Sequence, residues 1–239
     1  MPKKPPKTYF ETSRSLANSF LFILPLLVLY EAGMWLASSP VRNAAESVVK
    51  TPLWIFGKNG ALVFNLLVVI AAVAAVVVAR RRRELNVSIF LPMFLESLLY
   101  ALVLGRVVLD LMRLFDPTLA SMTTSLSVVT DALLSVGAGV YEEIVFRLVL
   151  LTALFLVLTR VLELPEAWAS AISILLAAAV FSLMHYVGGE MSRTFNAGGF
   201  VFRFVAGLIL SAIYVFRGLG IAVYTHALYD LMIYIFPGL

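Results

Sequence analysis

The chain has no cysteine and only two histidines in 239 residues. The missing thiol excludes disulfides, thiolate nucleophiles and Cys-ligated metals, and says little about compartment. Charge is also scarce: Asp, Glu, Lys and Arg make up 13% of the residues, against about 25% in soluble domains. No polar stretch is long enough to form a separate soluble domain. The apolar runs are continuous and do not alternate, so the pattern of a β-barrel is missing too. What fills the chain is apolar: 62% of residues, with a mean hydropathy of +0.98. A formal charge of +4 and a pI near 9.4 could suggest a nucleic-acid partner. The lysines and arginines stand in short flanking clusters instead, where they orient spans and touch anionic headgroups.

These features predict an all-α fold, a polytopic membrane helical bundle of about seven transmembrane helices plus an interfacial helix. One integral membrane domain is expected over 1–239, with a basic tail at 1–15, N-terminal helices over 16–125 and a core over 126–239. Spans are expected near 16–37, 61–79, 89–109, 132–158, 167–187, 200–216 and 219–236. The first apolar run is too long for a signal-peptide core, so it reads as a retained span. Residues 38–60, with Arg42, Glu46, Lys50, Trp54 and Lys58, suit an amphipathic helix at the interface. Residues 110–131 and 188–199 read as loops. The four arginines at 80–83 are the strongest positive-inside signal and place the N-terminus in the cytoplasm. No inverted repeat of the transporter kind is visible. Glu31, Glu96, Arg106 and Arg203 lie within spans and are expected to pair across helices.

The chemistry concentrates in Tyr141-Glu142-Glu143-Ile144-Val145-Phe146-Arg147, which sets two carboxylates and a guanidinium inside an apolar run. A charge near the centre of a membrane helix costs about 2.5–3.5 kcal/mol on insertion scales, so such a cluster is read as a functional site. Glu143 and Arg147 are four apart and can pair along one helix face. Glu142 lies about 100° further round an α-helix and is left for another partner. A carboxylate in an apolar setting suits a general base or acid. Both histidines fall in or at the edge of spans, in Phe181-x-x-x-His185 and His226-x-x-x-Asp230. Four-residue spacing puts each pair on one helix face.

Glu142-Glu143-x-x-x-Arg147, Phe181-x-x-x-His185 and His226-x-x-x-Asp230 occur in that order, and the set resembles the type II CAAX prenyl protease and bacteriocin-processing family. These are the glutamic-type intramembrane endopeptidases related to the Ras-converting enzyme. The resemblance covers about residues 126–236. It implies that Glu142 activates a water, with His185 helping to hold it. It implies that His226 and residue 230 stabilise the oxyanion, and that Glu143 and Arg147 order the site. The eukaryotic CAAX enzymes are similar but carry Asn at the last position, where this chain has Asp230. Ionised Asp cannot donate to an oxyanion, so either Asp230 is protonated or it orients His226. Tyr141 is expected to shape the pocket and Phe181 to pack beneath the site.

No cofactor and no metal is expected, the partners being a protein or peptide substrate and the lipid bilayer, with no nucleic acid. Nothing in the sequence fixes the oligomeric state. Zinc held by the two histidines and a glutamate is the nearest alternative, although no His-Glu-x-x-His occurs. Ser182 and His185 are a poor serine-protease pair, three apart on one helix with no Gly-rich elbow. A transporter or immunity-type membrane protein could use the same buried charges without catalysis. Span order places the site toward the outer face of a bacterial inner membrane. The expected reaction is cleavage near the C-terminus or membrane boundary of an exported or membrane-associated protein.

Overall fold

The computed structural model describes residues 8–37, 43–81, 85–115, 128–186 and 195–235. Arg42, two of the four arginines at 80–83, the Asp116-Pro117 turn and most of the 188–199 loop lie outside them, as do the side chains of Trp54 and Lys58.

Among the described residues every regular element is helical. The short α1 (Tyr9–Ser13) opens with a capping box, in which Thr8 and Glu11 satisfy each other's orphan backbone donors. It leads into α2 (Leu16–Ala37). The expected interfacial segment is α3 (Ala44–Lys50) followed by a tighter 3₁₀ stretch, Thr51–Asn59. Then come α4 (Gly60–Arg81) and α5 (Phe90–Phe115). A single run passes through α6 (Val128–Glu142), nine residues of π winding (Glu143–Leu151) and α7 (Thr152–Arg160). The chain closes with α8 (Glu166–Met184), α9 (Ala197–Arg217) and α10 (Leu219–Ile235).

The protein is therefore an all-α polytopic membrane bundle. Five helices are each long and apolar enough to cross a membrane: α2, α4, α5, α8 and α9. The other two expected spans are helical but special. The α6–α7 run carries the three charges at its centre and changes winding there. Helix α10 is only 17 residues long and is the most enclosed, packed by α2, α5, α6 and α9. Residues 219–227 of α10 are buried without a break, which suits a helix apolar on every face. At the other extreme, α4 is only 6% buried over its apolar window and rests mainly on α2.

Small residues let α10 into the centre. Gly139 of α6 lies against the backbone of Ala227, so close that a methyl group there would sit 2.6 Å from Ala227 Cβ. Close approach through Gly and Ala is the usual way membrane helices gain contact when lipid removes the hydrophobic driving force.

A polar clamp closes the end where α2 and α10 begin. Arg217 grips Glu96 with two donors, Nε at 2.5 Å and Nη2 at 2.8 Å, and Nη2 also reaches Ser13 Oγ. The Tyr9 hydroxyl donates to Glu96 Oε2 at 2.6 Å, and the Arg217 guanidinium lies over the Phe10 ring. Burial and the Glu96 carboxylate push the Tyr9 hydroxyl up to about 12. Glu96 and Glu31 thus pair across helices as expected, Glu31 with Lys50. Arg106 does not: it pairs with Asp110 one turn along its own helix, on an exposed face.

Candidate active site

The three motif helices converge on His226. Its Nδ1 stands 2.7 Å from Glu143 Oε1. A carboxylate oxygen accepts, so Nδ1 carries the proton and donates, and Nε2 faces the other way. Nε2 looks toward Glu142 Oε2 at 3.8 Å and Asp230 Oδ2 at 3.5 Å. The Asp230 contact runs along one helix face, as the four-residue spacing requires. Three carboxylates therefore ring one imidazole. Glu142 is 7% exposed, Glu143 0% and His226 3%.

Sequence spacing turned Glu142 away from Glu143, yet both carboxylates address the same ring. The π segment begins at Glu143, and its wider turn rotates successive residues through less than the ~100° of an α-helix. The two side chains consequently diverge less and straddle the imidazole. Single π turns recur at functional sites.

Glu143 Oε1 also accepts from Arg147 Nη1 at 2.8 Å, and Arg147 Nη2 donates to the Gly207 carbonyl of α9 at 3.3 Å. Arg147 is almost fully buried, with its guanidinium 4.5 Å from the centre of the Phe181 ring. Phe181 forms the floor: its ring meets Phe146 at 5.3 Å, His185 at 5.0 Å and His226 at 6.1 Å, all edge-on. Glu143 Oε2 and Arg147 Nε are buried without a hydrogen-bond partner among the described residues.

His185 caps the C-terminus of α8. Its Nδ1 lies 2.9 Å from the Phe181 carbonyl, which can only accept. That fixes the tautomer with Nε2 unprotonated in the neutral ring. His185 lies within electrostatic reach of Glu142, His226 and Arg203. Arg203, on α9, also faces Asp230 and is held by the Tyr186 hydroxyl at 3.2 Å and the Gly199 carbonyl at 3.1 Å. Ser182 donates to the Phe200 carbonyl at 2.8 Å, which commits its hydroxyl proton to α9.

Tyr141 serves a neighbouring cluster. Its hydroxyl donates to Glu31 Oε1, while Lys50 Nζ reaches both Glu31 oxygens and Glu46 Oε1, each at 2.8 Å. Asn43, missed in the sequence, donates from Nδ2 to Glu142 Oε1 at 2.7 Å. The only signal was Asn43-x-x-Glu46, a helix-start pattern. Among the described residues no group of three His, Asp or Glu side chains is arranged as a metal-ligand set.

The helices and the site describe a membrane protein with a buried acid–imidazole centre. Residues 124–232 match the family described as type II CAAX prenyl endopeptidase Rce1-like. That segment, just under half of the chain, holds all three motifs and is similar to the CAAX-type endopeptidases. No curated protein and no solved structure matches the chain.

Proposed function

We propose that the protein is a glutamic-type intramembrane endopeptidase in which Glu142 is the general base. The observation that carries this reading is the two-sided use of His226: Nδ1 is committed to Glu143, and Nε2 faces Glu142 and Asp230. Glu142 Oε2 takes a proton from water, and the hydroxide oxygen bonds to the scissile carbonyl carbon while the carbonyl electron pair moves onto oxygen. His226, protonated on both nitrogens amid three carboxylates, presents its Nε2 proton to that oxyanion. Asp230 then acts as the acceptor that aims His226, which resolves its lack of a donor. When the intermediate collapses, the C–N bond breaks and the proton on Glu142 passes to the leaving amine. His185, with Nε2 as an acceptor, holds the water from the second side. Arg147 pairs with Glu143 and fixes its position, and Phe181 supports both imidazoles. No step calls on a metal.

The substrate class is a membrane-associated or exported protein cut near its C-terminus or the membrane boundary. Glu142 and His185 stand toward the end of the bundle where α2 and α8 finish, opposite the α1 clamp. With the N-terminus cytoplasmic in a bacterial inner membrane, that end is the outer one. Comparing membrane-protein C-terminal fragments from cells carrying the wild type and Glu142→Ala tests this directly. Fragments present only with the wild type, ending near a membrane boundary, are expected. An identical fragment set, with the variant inserted normally, would count against it.

A further inference from the structure

Asn43 stands outside the family-matched residues and outside every motif read from the sequence. Its side chain does two separate things. Oδ1 accepts from the Ala45 amide at 2.7 Å and so caps α3. Nδ2 donates to Glu142 Oε1 at 2.7 Å. Among the described residues this is the one hydrogen bond to Glu142, since His226 Nε2 stands off at 3.8 Å.

Helix α3 is itself held firmly enough to place that amide. Lys50 at its C-terminus bridges Glu31 of α2 and Glu46 of α3. The Tyr30 hydroxyl donates to Glu46 Oε2, and the Tyr141 hydroxyl to Glu31 Oε1. The Lys50 ammonium also lies 4.7 Å from the centre of the Phe64 ring of α4. The clasp thus joins α2, α3, α4 and the helix that carries Glu142. A partly buried ion cluster is expensive to form, and its best-attested use is to select one register.

We propose that Asn43 is a positioning residue of the active site: its amide fixes Glu142 Oε1, so that Oε2 is the oxygen that takes the proton from water. The proposal rests on the reading of Glu142 as general base. A carboxylate has two equivalent oxygens and a broad terminal torsion. A charge-assisted donor on one of them removes that freedom and leaves the other aimed at the space between His226 and Asp230. Helix α3 is then part of the catalytic unit and more than a connection at the membrane surface.

The two tasks of Asn43 can be separated. Asp and Ser cap helices about as well as Asn, but ionised Asp has no donor, and the Ser hydroxyl lies one bond short of the place from which the amide reaches Glu142. Asn43→Ser should keep a thermal midpoint close to that of the wild type in detergent, and Asn43→Asp should lower it modestly through repulsion from Glu142. Their kcat on a membrane-anchored peptide should fall about 10- to 100-fold with KM little changed, as expected for losing a hydrogen bond to a charged group. The charged groups facing Glu142 are His226, His185, Asp230 and Arg147. Adding a carboxylate at position 43 should move the acid limb of the activity profile to higher pH, whereas a capping role alone would leave it in place. Glu142→Gln is assayed alongside. If Glu142→Gln is inactive and both Asn43 variants match the wild type in kcat and pH profile, the proposal is overturned while the general-base reading stands. If Glu142→Gln cleaves normally, both fall.

Discussion

Replacing Gly139 with Ala tests whether the contact between α6 and α10 sets the active-site geometry. The new methyl would lie 2.6 Å from Ala227 Cβ, 2.7 Å from its amide nitrogen and 2.8 Å from its Cα. Ordinary carbon contacts settle at about 3.5–4.0 Å, so the helices must part by about 1 Å. Two of the three opposing atoms are backbone and cannot rotate aside. Ala227 follows His226, and Glu143 lies four residues beyond Gly139 on the same face. A shift of that size takes the 2.7 Å His226–Glu143 bond beyond the about 3.2 Å limit for such contacts. Misplacement by about 1 Å can cost about 100-fold in rate. The stability penalty should be smaller. Overpacking costs about 1–3 kcal/mol, and Ala recovers about 1 kcal/mol over Gly in a helix. The assay is kcat/KM on a membrane-anchored peptide with the thermal midpoint measured in the same detergent. Gly105→Ala is the control, because its methyl would meet only Tyr229, at 3.9 Å. Wild-type kcat/KM in Gly139→Ala would refute the idea that this approach sets the site.

Arg147→Met should destabilise the protein by up to about 3–5 kcal/mol, because it removes the guanidinium paired with the buried Glu143 and leaves only His226 on that carboxylate. The double variant with Glu143→Gln should regain much of that stability in denaturant titrations without regaining cleavage. Lys50→Met leaves Glu31 and Glu46 facing each other, so α3 amides should exchange with deuterium markedly faster while those of α8 and α9 do not change. The Tyr9 hydroxyl titrates at about 12 when docked, against 10.0 unperturbed. Its contribution to docking α1 is therefore complete below pH 10 and is lost as pH rises toward 12. In an ultraviolet titration Tyr9→Phe should remove one tyrosine's worth of the late-titrating absorbance.

The helices were legible because long apolar runs bounded by Arg, Gly and Pro leave few alternatives in a membrane. Span edges expected at 16–37 and 61–79 fell within a residue or two of the observed helices. The motif residues were legible as a set because ionisable groups are rare in such runs. What escaped was local winding and long-range hydrogen bonding. The π turn at Glu143 has no sequence signature that distinguishes it from an α turn, so the shared orientation of Glu142 and Glu143 toward His226 appears only in three dimensions. Tyr141 read as pocket-lining because it adjoins Glu142, but neighbours in a helix face different ways, and its hydroxyl joins Glu31 instead. Asn43 drew no reading from the sequence, although the structure makes it the cap of α3. Its second bond spans 99 residues of sequence, a distance that no local pattern encodes. Arg106 was expected to reach another helix because it was taken to be buried in a span, whereas it is exposed.

The central claim is that Glu142 activates water for peptide-bond hydrolysis. Cleavage of a membrane-anchored peptide by the purified protein and by Glu142→Gln, each with and without a chelator, tests it most directly. The account predicts that the isosteric variant folds normally and loses about 100- to 10,000-fold in kcat, the usual worth of a general base, and that the chelator leaves wild-type cleavage unchanged. Undiminished cleavage by Glu142→Gln, or loss of wild-type activity to the chelator with recovery on adding zinc, would contradict it.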